Sequence, residues 1–440
     1  MVIPTIVSQI IAVAYNMADT FFVGLTNDKN AVAAVSLCLP VYTILTAISN
    51  LFGIGGASAI SRALGESNKP KAKQAFALAI WGSLILGLIY ALVILVFRKP
   101  LLLLIGGDEN DLDYSLTYLL WTVTIGGLPT ILASVFGELV RSSGHPKTAT
   151  VGLAIGACVN VGLDPLFMFV LLPKGQEVTG AAIATGISNL IGCLFFALYL
   201  WKQRKGGLSS FSIQEPSKPW SLALEILRSG LASFAMVACA MFSNCFLNAM
   251  LAPLGSAAMA GIGIDRKIDQ LAYAVNQGII QGMLPLVAYY YAAHQSDKMK
   301  KVILYSTIAS EAFSLSCMLV SLLFSEALVG IFIRDQETIA YGAQFLRILC
   351  LAIPIYSLTF IIIAVLQAWG KGAVPFILSI LHKGSIDIGF LFLFLSTLGR
   401  EKILWAGPLC DAVALLVGIL VMVAYLHKIK TNRLGSEASA

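Results

Sequence analysis

The sequence predicts an all-α polytopic membrane protein, with twelve transmembrane helices in two six-helix bundles related by a pseudo-two-fold axis along the membrane normal. Three observations predict it. The 440 residues are 58% hydrophobic and only 12% charged, with a mean hydropathy of +0.85. Apolar runs of about 20 residues, each able to cross about 30 Å of hydrocarbon, recur along the whole length. The two halves of the chain also repeat.

Backbone in lipid must satisfy its own hydrogen bonds, and runs this long without two-residue alternation are helices, not barrel strands. The pattern predicts spans over 2–23, 32–60, 75–97, 114–140, 150–172 and 180–201. It resumes over 229–251, 257–292, 302–325, 340–369, 374–397 and 404–426. The first run has no basic region before it and no small-residue cleavage site, so it reads as a span and not a signal peptide. A short cytoplasmic preamble is expected to be missing ahead of it. Between the sixth and seventh runs, Lys202 to Trp220 is rich in Gly, Ser, Pro and charge and reads as a linker. The expected organisation is an N-terminal lobe over 1–205 holding a cation site, a cytoplasmic linker over 206–225, a C-terminal lobe over 226–427 and a cytoplasmic tail over 428–440.

With the chain starting inside, about eighteen Lys and Arg fall in inner loops and about seven in outer ones. The positive-inside rule then places both termini in the cytoplasm. A shift of 226 or 227 lays Lys71-Ala-Lys73 on Lys298-Met-Lys300, Gly55 on Gly282, Asp108 on Asp335 and Ser143-Gly144 on Trp369-Gly370. Pro129 falls close to Pro354. Six spans return the chain to its starting side, so the repeats are parallel, and two like bundles facing a central cleft suit alternating access.

Little else in the composition suggests chemistry. The eight cysteines sit in or beside apolar runs without CxxC spacing and read as packing residues. The four histidines lack metal-ligand spacing, and no HExxH or GxSxG occurs, which excludes the common intramembrane enzyme signatures. No cofactor and no nucleic-acid partner is expected; the net charge of +6 belongs to inner loops. The expected partners are the lipid bilayer and small organic cations or drugs, with the chain acting as a monomer.

The most informative stretch is Cys158 to Val170, CVNVGLDPLFMFV. A carboxylate within such a run costs about 2.5–3.5 kcal/mol even on insertion scales. Asn160 lies one helical turn before Asp164, on the same face. Pro165 cannot donate to Val161 and frees a carbonyl beside the acid. Asp19 is the second buried acid, with Tyr15 one turn before it. At 1.5 Å per residue, Asp19 lies about 7 Å, Asp164 about 12 Å and Thr185 about 7 Å below the outer ends of their spans, with Tyr118 at a similar depth. These residues form one polar layer in the outer leaflet. The first half is expected to hold the cation site, with H⁺ or Na⁺ at Asp19, Asn160 and Asp164. The second half does not copy it: Asn248 stands near the position matching Asp19, and Ile386 and Phe390 near those matching Asn160 and Asp164, with Asp387 nearby.

The second half instead carries GIGIDRKIDQL, where Asp265 and Asp269 share a face beside Arg266 and Lys267. This is either an internal salt-bridge knot or a charged wall of a substrate cleft, together with Gln277 and Gln281. Tyr289 to Tyr291 could stack on flat cations there or form an interfacial belt. His382, Lys383, Asp411 and Arg347 leave their partners open, and Glu138 with Arg141 reads as a pair at the inner end of span four.

The pieces ADTFFVG (Ala18 to Gly24), SRALGESN, RSSGHPK, NVGLDPLF and GAAIAT, on the two-times-six layout, resemble the multidrug and toxic compound extrusion (MATE) family, in its bacterial branch. The resemblance covers essentially the whole chain, and NVGLDPLF followed by GAAIAT is its most specific part. It implies an inner-membrane antiporter expelling organic cations in exchange for H⁺ or Na⁺. The family's first-lobe site would fall on Asp19, Asn160, Asp164 and Thr185, with Tyr15 and Tyr118 beside them. The chain departs from the pattern in DRKID and in lacking an acid in span seven. A lipid-linked oligosaccharide flippase of the same superfamily is the alternative, and would require intramembrane Arg and Lys for phosphate.

Overall fold

The computed structural model describes residues 1–25, 29–105, 112–173, 175–203 and 219–437. Among them there is no strand, and ten helices are long and apolar enough to cross a membrane, with two further spans built from bent pairs. Spans one to six are Val2–Leu25, Lys29–Gly65, Lys69–Ile105, the pair Leu112–Ile125 and Gly127–Ser142, Pro146–Leu171, and Glu177–Gln203. Spans seven to twelve are Pro219–Leu251, Ser256–Ala292, Ser296–Leu323, the pair Gln336–Leu349 and Ala352–Ala368, Ala373–Thr397, and Ala406–Glu437. An even number of crossings leaves both chain ends on one face, here called the Met1 side.

Most helices overrun the predicted spans. Span two runs to Gly65, span three to Ile105 and span twelve to Glu437, and span seven begins at Pro219, within the stretch expected as linker. Hydropathy marks only the hydrocarbon-thick part of a helix. Its backbone ladder continues one bond per residue until something stops it. Span two stops where Ser67 turns left-handed (φ 57°), and Asn68 Oδ1 then accepts from the Lys71 N–H at 3.0 Å to start span three. Span three shows how composition selects a face. Phe76, Ile80, Ser83, Gly87 and Ala91 are buried against the bundle, while Ile85, Leu92 and Val96 face outward in the apolar belt that a bilayer covers.

The repeat is written in the backbone as well as the sequence. Left-handed residues recur at the expected offset, Ser67 with His294 and Gly144 with Gly370. Spans four and ten bend alike, by 44° and 42°. Each bend lies just before a proline, Pro129 or Pro354, whose missing amide leaves the carbonyl of Ile125 or Cys350 without its usual partner. Asp335, matched in sequence to Asp108, caps its helix by accepting from the Thr338 N–H at 2.9 Å. Asp108 itself, like residues 204–218 of the expected linker and the tail beyond 437, lies outside the described residues.

Spans one to six pack among themselves around a core that includes Leu45, Phe76, Ile131 and Phe196. A second core, with Met283, Phe360 and Leu366, holds the later spans. The bundles meet along spans one and two on one side and seven and eight on the other, and small residues let the backbones close. A Cβ added to Gly55 would come within 2.3 Å of the Ile226 carbonyl, and one added to Gly278 within 2.6 Å of Ile6 Cα. Arg62 bolts this seam. Its guanidinium donates to Glu225 at 2.9 and 3.0 Å and, through the other nitrogen, to the Gln367 and Ala368 carbonyls at 3.1 Å. The side chain is 6% exposed, so removing it takes from Glu225 its short ion pair and from the Ala368 and Gln367 carbonyls a donor across the seam. Arg62→Ala is therefore expected to open the Met1 side. In a background free of native cysteines, labelling of Ala57→Cys by an impermeant thiol reagent from that side should rise about tenfold, the effect of roughly 1.4 kcal/mol. Unchanged labelling would deny the bolt its role.

Candidate functional site

Span five supplies the centre of the site. Asn160 Nδ2 donates to Asp164 Oδ1 at 3.2 Å, one turn on, and to Thr185 Oγ1 of span six at 3.4 Å. Asn160 is 1% exposed and Asp164 fully buried. Two oxygens remain without a hydrogen-bond partner, Asn160 Oδ1 and Asp164 Oδ2. Buried oxygens are ordinarily satisfied, and two left open one turn apart on one helix are chemically able to ligate a small cation.

The other predicted residues gather round this pair. Asp19 of span one is part-buried and interacts electrostatically with Asp164. Tyr15, Tyr42 and Tyr118 all feel the Asp19 charge. Tyr15 hydrogen-bonds Tyr42, which also bonds Asn189 and Thr130, and Asn189 Nδ2 donates to Thr130 Oγ1 at 2.8 Å. All six residues expected at the cation site thus fall in one cluster. Tyr42, Thr130 and Asn189 were missed. Asn189 had a signal, since it lies one turn after Thr185 on the same face. No His, Cys, Asp or Glu trio suited to a metal occurs among the described residues. A sodium ion here would rest on the Asn160 and Asp164 oxygens with Asp19 nearby, as cargo and not as a fixed centre.

A cavity of about 390 Å³ lies between the bundles, closed on the Met1 side by the seam. Tyr15, Asn160 and Thr185 face it from the first bundle, while Asp19, Asp164 and Tyr118 are not among its lining residues. Gln277 and Gln281 face it from span eight. Asp265 and Asp269 do not. They lie outside the lining, in the second bundle, where Tyr356 donates to Asp269 at 3.0 Å. Their shared helix face looks into that bundle, not across the cleft. Neither do Tyr289 to Tyr291 line it: Tyr291 stacks on Trp369 at 5.8 Å and Tyr290 lies under Lys298 at 5.9 Å.

Glu138 and Arg141, read as a pair at the helix end, do pair there and also floor the cavity. Arg141 donates to Glu138 at 2.7 Å and to Gln281 at 3.1 Å, and Gln9 donates to Gln281 at 2.7 Å. They are the charged side chains lining the cavity among the described residues. The wall is otherwise amide, hydroxyl, aliphatic and aromatic, with Tyr42, Phe196, Tyr273 and Phe360. Such a surface can hold a flat, greasy cation by contact and stacking, with one carboxylate for its charge.

Known proteins resemble the chain along nearly all of it. Multidrug export protein MepA of Staphylococcus aureus is 29% identical over 421 residues, covering 96% of this chain and 91% of its own. That of Staphylococcus haemolyticus is 27% identical over 432 residues, 98% and 94% of the two chains. Among solved structures, a MATE protein crystallised in complex with MaL6 superposes with a TM-score of 0.90 at 23% identity, over 98% of this chain and 96% of that one. A multidrug resistance MATE family transporter in an outward-facing conformation gives 0.87 at 24%, over 98% and 95%. These structures speak for the fold. The MatE family model matches residues 4–166 and again 232–393, once in each bundle. By that double match this chain belongs to the MatE family, the multidrug and toxic compound extrusion transporters that its motifs resemble.

Proposed function

We propose that this protein exports lipophilic, often cationic drugs and toxic compounds in exchange for H⁺ or Na⁺, by alternating access across a bacterial inner membrane with both termini in the cytoplasm. The observation that carries the reading is the pair of open oxygens, Asn160 Oδ1 and Asp164 Oδ2, at the first-bundle side of the cleft and within reach of the Asp19 charge. The export of drugs named for the staphylococcal relatives supports the substrate class. Loop charge supports the orientation, which makes the sealed Met1 side cytoplasmic.

The cycle follows from charge balance. With the cytoplasmic side sealed, a cation from outside enters past Tyr15 and Thr185 and settles between Asp19 and Asp164. Neutralising the pair removes the local negative field, and drug affinity in the cleft falls. Once the cleft faces the cytoplasm the ion leaves, and drug binds against Glu138 and the amides of Gln277 and Gln281. Exchange of one proton for one monovalent cation moves no net charge, so the pH gradient alone drives it, about 1.4 kcal/mol or tenfold accumulation per unit. A pyrophosphate-lipid flippase would need bases in the cleft, and Arg141 is already held by Glu138 and Gln281.

Proteoliposomes loaded with ethidium test this reading. Dye movement should drive a counterflow of protons, or should depend on Na⁺ when protons are clamped. Dye movement indifferent to both would refute ion coupling. Within the cleft, Glu138→Gln is expected to weaken binding of cationic dyes about fivefold while leaving neutral substrates nearly unchanged, the scale of one part-exposed charge pair. Equal weakening of both by dye-fluorescence titration would remove Glu138 from charge recognition.

A further inference from the structure

The second bundle contains a buried network of charges that the cation site of the first bundle does not use. His382 of span eleven is fully buried and bonds Asp411 of span twelve through Nε2. Lys383 donates to the same Asp411 oxygen at 3.1 Å. Lys383 also interacts with Asp269 of span eight, which accepts from Tyr356 of span ten. Asp387 lies a turn below His382 and accepts from Ser243 of span seven at 2.6 Å. Asp265, 1% exposed and with both carboxylate oxygens unpartnered, interacts with Asp269 and Arg266. The thiols of Cys317, Cys350 and Cys410, from spans nine, ten and twelve, face these acids.

Counting charge shows what is missing. Four carboxylates, Asp265, Asp269, Asp387 and Asp411, face two fixed cations, Arg266 and Lys383. Two negative charges remain uncompensated when His382 is neutral. In a membrane interior that deficit is expensive, and a proton is the smallest ligand that reduces it. The His382 ring has a seat for one. With Nε2–H donating to Asp411, Nδ1 is buried and has no partner. A proton arriving there makes an imidazolium still paired with the Asp411 carboxylate. Tyr273 stands between the cleft and this network: it lines the cleft, accepts from Gln277 at 3.0 Å and lies within the electrostatic reach of both Lys383 and Asp269. Phe360, also in the cleft wall, packs edge-on against the His382 ring at 5.6 Å.

We propose that the second bundle carries a proton-binding site of its own, seated on His382 and the Asp411–Lys383–Asp269 chain and reached from the cleft through Tyr273. At the 226–227 offset Asp19 and Asp164 fall on no acid in the second half, which is why the repeat alone points to a single site. This one is assembled from spans eight, eleven and twelve: Asp269, Asp387 and Asp411 stand at the repeat offset from Tyr42, Asn160 and Thr185, while His382 and Lys383 have no polar counterpart in the first half. Its use in transport rests on the ion-coupled reading above, whereas proton binding itself does not.

The test uses the full chain in lipid. In ¹⁵N-histidine NMR, the His382 signal, identified by its loss in His382→Gln, should pass from neutral to charged within the pH range where the protein stays folded. It should do so equally in Asp164→Asn. A His382 signal locked in one form throughout would overturn the proposal. Asp411→Asn should shift the transition while the protein keeps its elution profile, and an unmoved transition would also overturn it. Ethidium-evoked proton release in weak buffer should fall by about half in His382→Gln and in Asp164→Asn, and vanish in the double variant, as for two sites contributing comparably. Release lost in Asp164→Asn and untouched in His382→Gln would count against a second site. The converse pattern would sink the first-bundle reading and leave this one standing.

Discussion

Replacing Asp164 with Asn is expected to reduce ethidium efflux from loaded cells to the level of cells lacking the protein, without unfolding it. The two side chains have nearly the same volume, and Asn still offers Asn160 Nδ2 an oxygen acceptor at the 3.2 Å position. What disappears is the ability to carry a negative charge or accept a proton next to Asp19. The drug cleft is left intact, since Asp164 is not among its lining residues. Ethidium should therefore still bind the purified variant, within about threefold of the parent, because no contact at the cleft surface has been removed. The parent's affinity should weaken as pH falls and the site fills with protons; the variant's should be flat with respect to this site. Asp19→Asn should behave alike. Efflux that survives either change would remove the acids from coupling, and lost dye binding would place Asp164 in the substrate site instead.

How much of this was legible before folding differs from residue to residue. Span number and type came through because lipid forces long helices, and the 226-residue offset came through because Gly144 and Gly370 both hold left-handed turns at helix ends. Helix ends did not, since hydropathy falls off before the hydrogen-bond ladder does. Asp19, Asn160, Asp164 and Thr185 stood out as polar groups in apolar runs, and one turn of helix explains why two of them bond. Tyr42 is a commonplace residue in a span and gives no signal until Tyr15 packs beside it. Glu138 and Arg141 show the limit most clearly. Their i,i+3 spacing gives the pair, but only Gln281, 140 positions away, reveals that they floor a cleft. Asp265 and Asp269 share a face as the spacing says, yet spacing cannot tell which way a fully immersed helix turns that face.

A single methyl group at Gly230 is expected to abolish transport by a different route. The Cβ of an alanine there would lie 1.8 Å from the Leu51 carbonyl oxygen, 2.6 Å from its carbon and 2.9 Å from its Cα. All three atoms are backbone of span two, so no side chain can swing aside, and the helices themselves must part. Overpacking costs about 1–3 kcal/mol where the surroundings adjust, and a backbone-on-backbone clash belongs at the upper end. On the alternating-access reading, spans two and seven part at this depth when the Met1 side opens, so the penalty falls on the sealed state. About 3 kcal/mol of bias shifts a two-state equilibrium more than a hundredfold. Gly230→Ala should therefore hold the cleft open to the cytoplasm, where the drug still binds but cannot be delivered outside. Spin labels placed across the seam should report longer distances than in the parent, and efflux should reach background. Gly389→Ala, whose Cβ would meet nothing within 4 Å, should leave both unchanged. Parental distances in Gly230→Ala would mean that the seam yields without opening, and the alternating-access geometry drawn from it would fail.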